Sequence, residues 1–66
     1  MQVLDVTIYG VRRSPDGGAR VQHTARVGWE GEWVTDGDPA TITAQRNEIA
    51  SLFPDIEIRD MVVIPE

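Results

Sequence analysis

The chain has 66 residues, of which 41% are hydrophobic and 26% are charged, a balance typical of one small globular domain (residues 1–66) and not of a disordered chain. It contains no cysteine, which excludes disulfides and cysteine zinc sites. No apolar run approaches the roughly 18–20 residues needed to cross a bilayer, and the N-terminus lacks signal-peptide features. We therefore expect a soluble, cytoplasmic protein with no membrane partner.

Alternating apolar residues predict a β-hairpin in the first half of the chain. Leu4, Val6 and Ile8 form an apolar face on even positions of residues 2–13, where the alternation is less clean, and odd positions carry the apolar side chains in residues 19–30. This period of two indicates strands with one buried face. Ser14-Pro15-Asp16-Gly17-Gly18 has the composition of a tight turn. A four-residue loop, residues 15–18, would place Leu4 opposite Trp29, Gly10 opposite His23 and Arg13 opposite Arg20.

The alternation continues to residue 35, which is too long for one straight strand in so small a domain. Two outcomes stay open. Either a bulge near Gly31 bends the strand, or Glu30-Gly31 turns the chain into a short third strand, Glu32–Thr35.

A single helix is predicted over residues 39–53. Asp38 suits the N-cap, Pro39 suits the first helical position, and Pro54 stops the helix. The apolar residues of its predicted buried face are Ile42, Ile49, Leu52 and Phe53, with Gln45 or Arg46 at the intervening turn.

The alternation of apolar residues over 55–65 predicts a final strand. In it, Ile56, Ile58, Val62 and Ile64 share a face. Asp60 interrupts this series, and we favour a β-bulge there over a buried carboxylate, because burying an unpaired charge costs far more free energy. The expected fold is α+β, with order β-β-(β)-α-β: an antiparallel sheet of three to four strands with one helix packed on one face.

No set of residues predicts catalysis. His23 is the only histidine and lacks a nucleophile or a second histidine nearby in sequence, so we interpret it as a packed or rim residue. Asp36-Gly37-Asp38 lacks the further ligands of a calcium loop, and Gly17-Gly18 is a hairpin tip and not a phosphate loop. We expect no enzyme activity, cofactor, metal or small-molecule substrate.

The outer face of the sheet is the predicted binding surface. Tyrosine and arginine are enriched at protein-binding hot spots, and exposed apolar groups mark interaction sites. Trp29 is interpreted as core, whereas Trp33 fits either core or a partner contact. The candidate partner-binding residues are Val3, Tyr9, Val11, Arg13, Arg20, Arg26 and Trp33.

Protein–protein interaction is the predicted function, either by self-assembly as a homo-oligomer or by regulating or inhibiting a larger protein. A cysteine-free chain this short needs added support for its fold, which favours self-association. A short chain without lysine or cysteine is also typical of phage- or mobile-element-encoded accessory proteins.

The alternative function is a single-stranded nucleic-acid-binding domain that uses Tyr9, Arg13, Arg20 and Arg26. We rank it lower because the chain is acidic, with a net charge of −5. The charge is also divided: residues 1–29 hold four arginines against two acids, and residues 30–66 hold two arginines against nine acids. Such a division can steer a partner or a second copy of the chain.

Overall fold

The structure, a computed structural model, describes residues 1–13 and 18–66. Its elements are β1 (Gln2–Arg12), β2 (Arg20–Trp29), α1 (Pro39–Ala50) and β3 (Ile56–Pro65). The strands form one antiparallel sheet in the order β2-β1-β3, so β1 is central. The predicted α+β class is confirmed, with the element order β-β-α-β. The predicted turn chemistry of residues 14–17 lies outside the described residues.

The hairpin keeps the predicted faces but not the predicted register. Leu4 pairs with Val27 and Gly10 pairs with Val21, a shift of two residues along β2. The reason is the length of the connection: the Arg12 N–H donates to the Ala19 carbonyl at 2.8 Å, which leaves six residues and not four between this pair. A shift by two preserves the side-chain parity, so the buried face is unchanged.

Residues 32–35 do not form the third strand that the sequence left open. The chain turns at Gly31, which has a φ of 78°, and β2 ends at Trp29. Side-chain amides bind the backbone that follows: the Trp33 N–H donates to Gln2 Oε1 at 2.7 Å, and Gln45 bonds both the N–H and the carbonyl of Val34 at 3.0 and 2.9 Å. These bonds satisfy polar groups that would otherwise need a neighbouring strand.

The helix begins as predicted and ends three residues early. Asp38 is the N-cap, and its carboxylate accepts from the Ala40 N–H at 3.3 Å. After Ala50 the hydrogen bonds tighten to a three-residue spacing, with Leu52 N–H donating to the Ile49 carbonyl at 3.0 Å. This change turns Leu52 out to solvent, so its predicted place on the buried face is wrong.

A β-bulge in β3 has the largest structural consequence. Tyr9 pairs with Asp60 whereas Gly10 pairs with Ile58, so Arg59 is an extra residue opposite β1. The bulge expected at Asp60 is confirmed. Because one extra residue inverts the alternation, Val62 and Ile64 lie on the exposed face, and the prediction that they share a face with Ile56 and Ile58 is wrong.

The core lies between the sheet and α1. Three residues of β1 that follow the two-residue period have no exposed surface, and Ile49 from α1 packs against them. The ring centroids of Trp29 and Trp33 lie 5.1 Å apart in an edge-to-face arrangement at the border of this core. The buried hydrophobic residues are Leu4, Val6, Ile8, Trp33, Ile49, Ile56 and Met61.

Candidate protein-binding face

The outer face of the sheet is the face opposite α1. It carries the odd-numbered residues of β1, the even-numbered residues of β2 and, after the bulge, the even-numbered residues of β3. Four large apolar side chains on this face are between 38% and 58% exposed. We name these the outer patch: Val3, Tyr9, Val62 and Ile64.

The pairing of β1 with β3 makes the outer patch contiguous. Val62 lies opposite Thr7, which places it diagonally next to Tyr9, and Ile64 lies opposite Asp5, diagonally next to Val3. Diagonal neighbours on one face are within reach of aromatic and long side chains. The outer patch therefore follows the seam between the central strand and one edge strand.

Ion pairs neutralise one side of the outer patch. Arg26 of β2 reaches over the sheet: its Nε lies 3.3 Å from Asp5 Oδ1, and its Nη2 lies 3.4 Å from Glu66 Oε1. Arg59 Nη2 lies 3.7 Å from Glu57 Oε1. These exposed pairs contribute little to stability, but they place charged groups of both signs beside the apolar side chains.

The structure brings together most of the residues expected on this face. Val3, Tyr9 and Val11 on β1, and Arg20 and Arg26 on β2, all lie on the outer face.

Two candidates lie outside the strands of the sheet. Arg13 follows the end of β1, where its N–H donates to the Asp55 carbonyl at 2.8 Å. Trp33 is 7% exposed and belongs to the core, which is one of the two places that the sequence allowed for it.

Sequence reasoning missed Val62 and Ile64, although a signal for them was present. A bulge at Asp60 requires the alternation to change phase beyond it. Applying that change to residues 61–65 places Met61 and Val63 inside and Val62 and Ile64 outside, as observed.

His23 lies at the rim of the sheet and not in a polar cluster. Its ring meets Phe53 edge-on, with 5.3 Å between the centroids. Within residues 1–13 and 18–66, no group of three or more histidine, aspartate or glutamate side chains is arranged to hold a metal ion. In the same residues, no helix is both long enough and apolar enough to cross a membrane.

Comparisons of the chain with protein-family models, with curated proteins and with solved structures found no match.

Proposed function

We propose that this protein is a non-catalytic protein–protein interaction module that binds its partner through the outer patch. The observation that carries the proposal is the exposure of Val62 and Ile64, 42% and 58%, beside Tyr9 on an open sheet face. Burial of apolar surface is the main favourable term in protein association. Both modes expected from the sequence remain within the proposal: self-assembly, and regulation or inhibition of a larger protein.

The composition of the face supports a protein partner over a nucleic acid. Its centre is apolar, Tyr9 is the one aromatic residue that the described strands place on it, and Arg26 is engaged by two carboxylates. Single-strand binders combine several stacking aromatics with a basic groove. If the alternative function held, the protein would bind a single-stranded oligonucleotide at low salt, and Arg20→Ala would weaken that binding.

The test compares variants that replace exposed β-branched apolar side chains by threonine in two different places. The double variant Val62→Thr, Ile64→Thr makes the outer patch polar. Val34→Thr is the matched control, since Val34 is 37% exposed and lies in the loop before α1. Both variants keep β-branched side chains, which preserves the backbone preference.

The tagged chain serves as bait in an extract of the cells that encode it, and captured proteins are quantified against the unmodified bait. We expect the double variant to lose a captured protein that the control retains. A second variant, Tyr9→Ala with Val11→Ser, should reduce the same capture. Equal capture by the unmodified bait and both outer-face variants would show that the outer patch is not the binding surface.

A further inference from the structure

The open edge of β2 offers five regularly spaced pairs of backbone hydrogen-bonding groups. The Arg12 N–H bonds the Ala19 carbonyl, which sets the phase of the ladder between β1 and β2. Odd-numbered residues of β2 therefore bond to β1, and even-numbered residues direct their N–H and carbonyl groups away from it. The even-numbered residues are Arg20, Gln22, Thr24, Arg26 and Gly28, and none is a proline.

The opposite edge of the sheet, β3, is blocked. The Met61 N–H donates to Asp60 Oδ1 at 2.8 Å, and Arg46 Nη2 donates to the Met61 carbonyl at 2.9 Å. Pro65 supplies no N–H at all. Such devices are the ones that keep edge strands from pairing with other chains. Of the two edges of the described sheet, β2 is therefore the one that is long and regular.

We propose that β2 pairs antiparallel with β2 of a second copy of this chain, with Thr24 of each copy on the twofold axis. The two sheets then form one six-stranded sheet, and both helices lie on the same face. This inference goes beyond the proposed function, because it uses the edge of the sheet and leaves the outer patch free.

The Thr24 register follows from the sequence of β2. It is the one antiparallel alignment in which all five outward-directed residues of each copy face a counterpart: Thr24 faces Thr24, Gln22 faces Arg26, and Arg20 faces Gly28. A shift one way opposes Arg20 to Arg26, and like charges directly opposite each other are destabilising. A shift the other way moves Arg20 beyond Trp29, where β2 ends.

The same register buries apolar surface on the helix side. A depression of about 280 Å³ follows the β2 edge there, and its apolar lining includes Val27, Trp29, Ile49 and Leu52. In the proposed pairing, Val21 of the second copy lies opposite Val27, at a position where strands approach most closely. The second copy therefore brings an apolar side chain to this depression as well as backbone hydrogen bonds.

The first experiment measures molar mass by light scattering over a range of concentrations. The unmodified chain should approach twice 7.3 kDa. Thr24→Lys and Thr24→Glu place like charges against each other at the twofold axis, so each should shift the monomer–dimer midpoint to roughly tenfold higher concentration. An equimolar mixture of the two variants should dimerise near the unmodified midpoint. Thr7→Lys, on the central strand, is the control and should dimerise normally.

The second experiment crosslinks the two copies at residue 24, which lies on the proposed twofold axis. Thr24→Cys gives a chain with one cysteine, and paired residues across an antiparallel ladder lie within disulfide distance. Oxidation should yield a covalent dimer, whereas Thr7→Cys should yield little.

Either of two results would overturn the pairing: an unmodified chain that stays monomeric at the highest concentration, or crosslinking of Thr7→Cys in place of Thr24→Cys. Neither result bears on the capture experiment for the outer patch.

Discussion

The strands β1 and β3 lie side by side, and both alternate apolar and polar residues, yet only β1 keeps all its buried residues on even positions. In β1, Leu4, Val6 and Ile8 are fully buried in sequence steps of two. In β3, Ile56 and Met61 are both buried although they stand five residues apart. An odd interval on one face is possible only because Arg59 is an extra residue in the strand.

This difference shows that one inserted residue places the apolar side chains of a single strand on both faces of the sheet. The first half of β3 contributes to the core, and the second half contributes Val62 and Ile64 to the outer patch. A regular strand of the same composition would have buried them. The bulge thus adds Val62 and Ile64 to the apolar side chains that β1 already presents on the outer face.

The largest effect is expected within β1, where neighbouring residues face opposite ways. Ile8→Ala should lower the free energy of unfolding by about 2–5 kcal/mol, because it leaves a cavity in the core. Tyr9→Ala, one residue on, should cost about 1 kcal/mol or less, since Tyr9 is exposed. Urea unfolding monitored by tryptophan fluorescence measures both. Similar losses for the two variants would contradict the assignment of the faces; if Ile8→Ala does not fold, Ile8→Val makes the same comparison.

A smaller effect is expected where β1 makes room for the bulge. A Cβ atom added at Gly10 would overlap the carbonyl oxygen of Glu57 and lie 3.0 Å from Ile56 Cγ2. Gly10→Ala should therefore cost about 1–3 kcal/mol through displacement of β3. The control is Gly28→Ala, since the nearest atom there is the sulfur of the terminal Met1, which can move aside. A Gly10→Ala protein as stable as the control would show that β3 does not depend on this close approach.

The elements and faces that depend on residues close in sequence could be predicted from the sequence alone. The period of two in β1 and β2, the Asp38 N-cap and the bulge at Asp60 are set by residues close in sequence, and the structure bears them out. The outer-face positions of Tyr9 and Val11 follow from the same parity.

The features that were not predicted have different physical origins. Residues 32–35 stay out of the sheet because Gln2 and Gln45 bind their backbone, and neither glutamine lies near them in sequence. The hairpin register depends on the number of residues between paired Arg12 and Ala19, which parity alone does not determine. The exposure of Val62 and Ile64 was not predicted, because the prediction continued the alternation of β3 past the bulge without the change of phase that an extra residue causes.

The phase change itself can be tested on two adjacent valines of β3. Val63 packs against the core and Val62 lies on the outer face. Val63→Thr should cost about 1 kcal/mol, because its hydroxyl enters a partly buried apolar site. Val62→Thr should change stability by less than about 0.5 kcal/mol. Thermal unfolding of the two variants gives the comparison, and the reverse order would mean that β3 has no phase change.

The smallest effect concerns the hydrogen bond that closes the bulge. Asp60 Oδ1 accepts the Met61 N–H at 2.8 Å, on the edge of β3 that faces away from β1. Asp60→Ala should lower the free energy of unfolding by only about 0.5 kcal/mol, because Asp60 is exposed and water can replace its carboxylate. Asp60→Asn keeps an acceptor oxygen and is the control. Amide hydrogen exchange followed by NMR isolates the local change: the Met61 amide should exchange faster in Asp60→Ala than in Asp60→Asn. Unchanged exchange in both variants would mean that the extra residue, and not the Asp60 side chain, is sufficient to hold β3 in its altered phase.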